Sequence, residues 1–118
     1  MLKQHYLDKA IDWISKKSTT SVKAKIEGYD SPNVFTNKET GEEVQADFSF
    51  ITQGGNKSFT EVAIKSDRPQ KLVTRWKLLS LMASMKQGKL HLLTPKGHKM
   101  FTKKLVDTYH INAVIHSL

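Results

Sequence analysis

Two runs of alternating residues, joined by a glycine-rich turn, constrain the fold of this chain more than any other feature. Residues 46–52 and 58–65 alternate apolar and polar side chains with the period of two that is typical of β-strands. The turn between them, Gln-Gly-Gly-Asn-Lys at 53–57, predicts that the two strands form an antiparallel hairpin. A turn centred near Gly55 sets Asp47 roughly opposite residues 63–65.

Helical and strand patterns alternate on both sides of this hairpin. A long helix is expected to begin after Asp67, which we expect to cap it. The order helix, three strands, helix, strand, helix, strand predicts one α/β or α+β domain over 1–118, with a central mixed sheet flanked by helices. The expected helices are 2–17, 70–87 and 98–109, and the other expected strands are 22–27, 89–94 and 112–118. Residues 34–36 form a short extended segment that continues into a polar turn at 37–42 and is not counted among the three strands.

Composition excludes several classes of protein. Hydrophobic residues make up 38% and charged residues 25% of the chain, which is typical of a globular domain. No apolar run approaches the length of about 18 residues that a membrane span requires, and residues 1–5 have no apolar signal core. The chain has no cysteine, which excludes disulfides, thiolate catalysis and cysteine-based zinc sites. A reducing compartment is therefore permitted, and we expect a cytoplasmic location.

The net charge of +8 is concentrated in one segment. Residues 57–104 carry twelve basic side chains against two acids, Glu61 and Asp67. Such a patch favours a polyanionic partner, most commonly nucleic acid, although a solvated surface without a ligand is the alternative. The residues we expect to contact phosphates are Lys65, Arg68, Lys71, Arg75, Lys96 and Lys99.

Asp47 begins one strand of the hairpin and Lys65 ends the other, and this pairing carries a resemblance. The chain resembles the restriction-endonuclease-like superfamily, the PD-(D/E)xK phosphodiesterases, and is most similar in layout to the small archaeal Holliday junction resolvases. In that family an Asp begins the second core strand, and an acid followed two positions later by a Lys lies on the third. Here the family's Pro is replaced by Ala46 and its second acid by Ala63.

The resemblance implies a restriction-endonuclease-like core and a DNA endonuclease that uses Mg²⁺ or Mn²⁺. Asp47 would bind the metal and Lys65 would position water or phosphate. Glu61, on the same strand face as Ala63 but one step further along, is the candidate for a displaced second metal ligand, which would assist Asp47 and Lys65 in catalysis. Three interpretations stay open: an active endonuclease, a catalytically degenerate nuclease fold that binds nucleic acid or protein, and a structural domain that meets an acidic protein.

The resemblance also implies an acid on the first helix and pairing of two copies. Asp8 and Asp12 share one helix face, but we favour their interpretation as solvated side chains. The apolar run 78–82 is either a dimer interface or a buried helix face, and we favour the buried face. The five histidines show no metal-ligand spacing within a helix.

Overall fold

The computed structural model describes residues 2–16, 20–52 and 54–118. The predictions that fall on residues 17–19 and 53 lie outside the described residues. Within the described ranges, three helices and seven strands follow one another: α1 (Leu2–Ser15), β1 (Thr20–Ala24), β2 (Val34–Thr36), β3 (Glu43–Gln45), β4 (Phe48–Ile51), β5 (Lys57–Val62), α2 (Pro69–Met85), β6 (Leu90–Thr94), α3 (Lys99–Thr108) and β7 (Ala113–Ser117).

Five of the strands form a mixed sheet in the order β1-β4-β5-β6-β7. The first three are antiparallel neighbours, whereas β5, β6 and β7 are parallel and are connected through α2 and α3. The prediction of an α+β chain with a central mixed sheet and flanking helices is confirmed.

The predicted order of elements is wrong at one place, because the described part of the chain has five strands rather than three between α1 and α2. The polar turn predicted at 37–42 follows β2, which ends at Thr36, and it is closed by Asn37 N, which donates to Glu42 O at 2.8 Å. The prediction missed β3, which returns after this turn and pairs with β2 as a separate antiparallel sheet.

The helices cover both faces of the sheet, which gives three layers. On one face α1 packs Leu7, Ala10 and Ile14 against Phe48, Phe50 and other buried strand residues. On the other face α2 and α3 pack against Phe59, Ala63, Leu90 and Leu92, with Trp76 fully buried. Neighbouring residues of β5 therefore point alternately to α1 and to α2.

The register of the β4–β5 hairpin differs from the predicted one. Phe48 pairs with Thr60, and Thr52 N donates to Asn56 O at 2.9 Å. Gly55 has a φ of +82°, so the left-handed residue ends the loop rather than lying at its centre. Continued by one residue, this register sets Asp47 opposite Glu61, and the expectation that it lies opposite residues 63–65 is wrong.

Two predicted boundaries also differ from those in the structure. The first strand ends at Ala24 rather than at residue 27, because the following residues turn: Tyr29 N donates to Ile26 O at 3.2 Å. Asp67 does not cap α2. The residue at the cap is Arg68, whose backbone N–H donates to Ser66 Oγ at 3.0 Å.

The apolar run 78–82 lies within α2 and is only partly buried. Leu79 is fully buried, as a core-facing helix requires, whereas Leu81 is 57% exposed. The interpretation as a buried helix face is therefore confirmed for one side of the run. In the described residues, no helix has both the length and the apolar character needed to cross a membrane.

A glycine is required at position 88, between α2 and β6, because the backbone of β5 approaches closely there. A Cβ at this position would lie 1.7 Å from the backbone oxygen of Lys57. We expect Gly88→Ala to lower the free energy of unfolding by about 1–3 kcal/mol, since the clash is with backbone and forces β5 to shift. Urea denaturation measures the change. Gly54→Ala is the matched control, because its nearest atom is a side-chain nitrogen at an ordinary 3.7 Å; equal losses in the two variants would contradict the prediction.

Candidate functional site

Asp47 is buried where β1, β4 and β5 meet. Its side chain is 1% exposed, and its Oδ2 accepts a hydrogen bond from Val62 N at 2.9 Å. Lys25 follows β1, donates its backbone N–H to Asp47 O at 3.1 Å, and brings its Nζ to 3.4 Å from Asp47 Oδ1. Asp47 thus joins the three antiparallel strands through its main chain and its carboxylate.

Glu61 lies on the neighbouring strand β5 and is 2% exposed. Arg75 reaches it from α2 with a two-pronged contact, in which Nε donates to Oε2 at 2.7 Å and Nη2 to Oε1 at 2.7 Å. Arg75 Nη2 also donates to the backbone oxygen of Gln45, the last residue of β3. The guanidinium therefore links the sheet, α2 and the small β2–β3 pair.

The charges of Arg75, Glu61 and Asp47 influence one another. Burial lowers the pKa of Arg75, but the hydrogen bond and charge of Glu61, with the charge of Asp47, outweigh that effect and raise its pKa above the usual value. Asp47 and Glu61 occupy opposite positions on adjacent strands, where Cβ atoms lie about 4.5–5.5 Å apart. We call Asp47, Glu61, Lys25 and Arg75 the carboxylate cluster.

A depression of about 380 Å³ opens beside the carboxylate cluster. Glu61 and Arg75 form part of its wall, and Lys71 lines it from the first turns of α2. The other charged lining residues are Lys25, Glu42 and Glu43, so charges of both signs surround the opening. This lining of mixed charge differs from the basic surface that binds a phosphate backbone.

The carboxylate cluster does not fit a divalent metal in this arrangement. Both carboxylate oxygens of Glu61 accept hydrogen bonds from Arg75, and a cation already lies near each carboxylate. Across residues 2–16, 20–52 and 54–118, no group of three or more His, Asp or Glu side chains is arranged to hold a metal ion. A metal would have to displace the guanidinium.

Lys65 lies in a different place from the carboxylate cluster. It is exposed, three residues past the end of β5, and lines a groove of about 650 Å³ with the beginning of α3. Its backbone N–H donates to His98 Nδ1 at 2.9 Å, which ties the segment after β5 to the segment after β6. We call this the basic groove; its lining residues are Lys65, Gly97, Lys99, Met100, Phe101 and Lys104.

Of the six residues predicted to contact phosphates, the structure brings Lys65 and Lys99 together in the basic groove. Arg68 is exposed at the start of α2, and Lys71 faces the depression beside Glu61. Lys96 lines a separate hollow with residues of α1. Arg75 is largely committed to Glu61 and keeps only 25% of its side chain exposed.

Asp8 and Asp12 are exposed on α1. Because α1 packs on the sheet face opposite to α2, neither carboxylate lies on the face where Arg75 meets Glu61. Their interpretation as solvated side chains agrees with this placement.

Two histidines meet although nothing in their spacing predicts it. His91 on β6 and His116 on β7 approach to 3.0 Å between Nδ1 and Nε2. Trp13 of α1 packs over both rings, with centroid distances of 5.7 Å to His91 and 4.8 Å to His116. Only the parallel pairing of β6 and β7 brings residues so distant in sequence onto one face.

Sequence reasoning missed the ion-pairing role of Arg75 and the part of Lys104 in the basic groove. A signal for Arg75 was present. Arg75 lies three residues after Leu72 and four before Leu79, so it borders the apolar stripe of its helix and faces the sheet.

Comparisons of the chain with protein-family models, with curated proteins and with solved structures found no match.

Removing Arg75 tests what the ion pair contributes to the fold. We expect Arg75→Met to lower the free energy of unfolding by about 3 kcal/mol, because it leaves the Glu61 carboxylate buried without its guanidinium. The lower end of the range for buried pairs applies since Arg75 is 25% exposed. Urea denaturation at neutral pH measures the loss.

Lys71→Met, one turn earlier on α2, is the matched control, and as an exposed substitution it should change stability by no more than about 0.5 kcal/mol. The double variant Arg75→Met with Glu61→Gln should lose less than the two single losses added together. Equal losses for Arg75→Met and Lys71→Met would show that the ion pair does not stabilise the fold.

Proposed function

We propose that this chain is a DNA-binding module built on a nuclease-like scaffold, and that it acts without cleaving the strand. The observation that carries the proposal is the basic groove, where Lys65, Lys99 and Lys104 converge beside the carboxyl ends of β5 and β6. In sheets with parallel strands, ligands commonly bind outside those ends. Convergent lysines there supply the positive field that attracts a phosphate backbone.

The hairpin register changes how the residues of this chain align with the motif of the PD-(D/E)xK phosphodiesterases. Glu61, opposite Asp47, then stands where the family has its second acid, and Ala63 stands where the family has its lysine. The catalytic cation would be replaced by Arg75, which already binds both oxygens of Glu61. This supports the degenerate scaffold over the Mg²⁺- or Mn²⁺-dependent endonuclease.

DNA affinity should depend steeply on salt. The log of affinity is expected to fall with the log of salt concentration by about 0.9 for each phosphate neutralised. Lys65→Ala with Lys104→Ala should therefore lower that slope by about 1.8. Fluorescence anisotropy with a labelled oligonucleotide, repeated over a salt series, measures the slope.

The matched control is Lys86→Ala with Lys89→Ala. Both lysines are exposed and lie near the start of β6, at the end of the strand opposite to the basic groove. The proposal fails if both double variants change the slope equally. It also fails if polyglutamate of equal total charge displaces the oligonucleotide as well as unlabelled DNA does, because that outcome favours an acidic protein partner.

Metal binding distinguishes the module from an enzyme. Titration of the wild type with Mn²⁺ in a calorimeter should give no heat that depends on Asp47, because Arg75 and Lys25 already neutralise the two carboxylates. Asp47→Asn, which keeps the shape of the side chain, should therefore give the same titration as the wild type. Asp12→Asn, on the exposed face of α1, is the control. Binding by the wild type and by Asp12→Asn that is lost only in Asp47→Asn would support the metal-dependent endonuclease instead.

A further inference from the structure

The lining of the basic groove is not purely electrostatic. Besides the lysines, the lining includes Met100 and Phe101, at the beginning of α3. Met100 is 87% exposed, the highest exposure among the large apolar side chains described. Phe101 is half-buried and packs against the core, so it forms a fixed apolar surface beside the flexible thioether.

The groove is also held in shape at both of its sides. The hydrogen bond from Lys65 N to His98 Nδ1 fixes the segment after β5 to the beginning of α3. Lys99 Nζ donates to Ser117 Oγ at 3.1 Å, which holds this lysine toward the end of β7. The volume of about 650 Å³ lies within the range of about 300–1,000 Å³ that is usual for small-ligand sites.

We propose that the basic groove binds an unpaired nucleotide, with its base against Met100 and Phe101 and its neighbouring phosphates at Lys65 and Lys104. This inference rests on the proposed function and names the form of DNA that the site takes. It predicts a preference for single strands, or for the unpaired parts of branched DNA, over an intact duplex.

The chemistry of the lining favours this ligand over the alternatives. A duplex presents phosphates outward and keeps the faces of its bases stacked inside, so a methionine or phenylalanine reaches those faces only if a base step is unstacked, which costs free energy. An unpaired base exposes a flat apolar face, which apolar and aromatic side chains bind regardless of sequence. The carboxylates of an acidic peptide match the lysines, but they do not match the apolar part of the lining, Met100 and Phe101.

Three probes separate the contributions of base and phosphate. Anisotropy is measured with a labelled oligothymidylate, with the same strand carrying abasic sites, and with a duplex of equal length. We expect the wild type to bind the oligothymidylate about tenfold more tightly than the abasic strand, because the latter keeps the phosphates and lacks the bases. Met100→Ala should remove most of this difference, and Lys104→Ala should weaken binding of both single strands alike.

Met85→Ala is the matched control, since Met85 is 67% exposed near the end of α2 and does not line the groove. If the duplex and the abasic strand bind the wild type as well as the oligothymidylate does, the inference fails while the proposed DNA binding stands. If Met85→Ala reduces the preference as much as Met100→Ala, the inference also fails, because the base then contacts another surface. If none of the three probes binds, the proposed function fails together with it.

Discussion

The need to neutralise two buried carboxylates shapes the half of the molecule around α2. Asp47 and Glu61 are almost fully enclosed, and an uncompensated charge in such a place costs several kcal/mol. Each carboxylate therefore has a nearby cation, Lys25 for Asp47 and Arg75 for Glu61. Because Arg75 lies on α2 and also binds the backbone of β3, the ion pair fixes the helix and the small β2–β3 sheet against β5.

The register of one hairpin decides which groups enter this cluster. Side chains alternate between the two faces of a strand, so a shift by one residue would turn Glu61 toward α1 and its apolar layer. The loop that ends at Gly55 sets Asp47 and Glu61 opposite each other on the face that α2 covers. Lys65 lies beyond the end of the strand and joins the segment that leads to α3 instead.

The sequence predicted the elements better than their contacts. Alternation identified β4 and β5, and helical periodicity identified α2, because burial of one face imposes those periods on the chain. The register was missed since the position of the left-handed glycine in a five-residue turn is not set by composition. Arg75 was assigned to DNA because charge alone does not distinguish a surface cation from one that neutralises a buried acid. His91 and His116 were missed because strand pairing, rather than spacing, brings them together.

The carboxylate cluster and the basic groove have different lining residues, and the difference in their net charge bears on the proposed function. Within the cluster the two acids and the two cations balance, so it adds little to the field outside. The groove retains lysines that no described salt bridge neutralises, at the edge where β5 and β6 end. A scaffold whose acids are neutralised internally does not repel a phosphate backbone, as two unpaired carboxylates at the same edge would. Under the proposed function Arg75 therefore has two effects: it occupies both oxygens of Glu61, and it lowers the negative charge that a bound polyanion would meet.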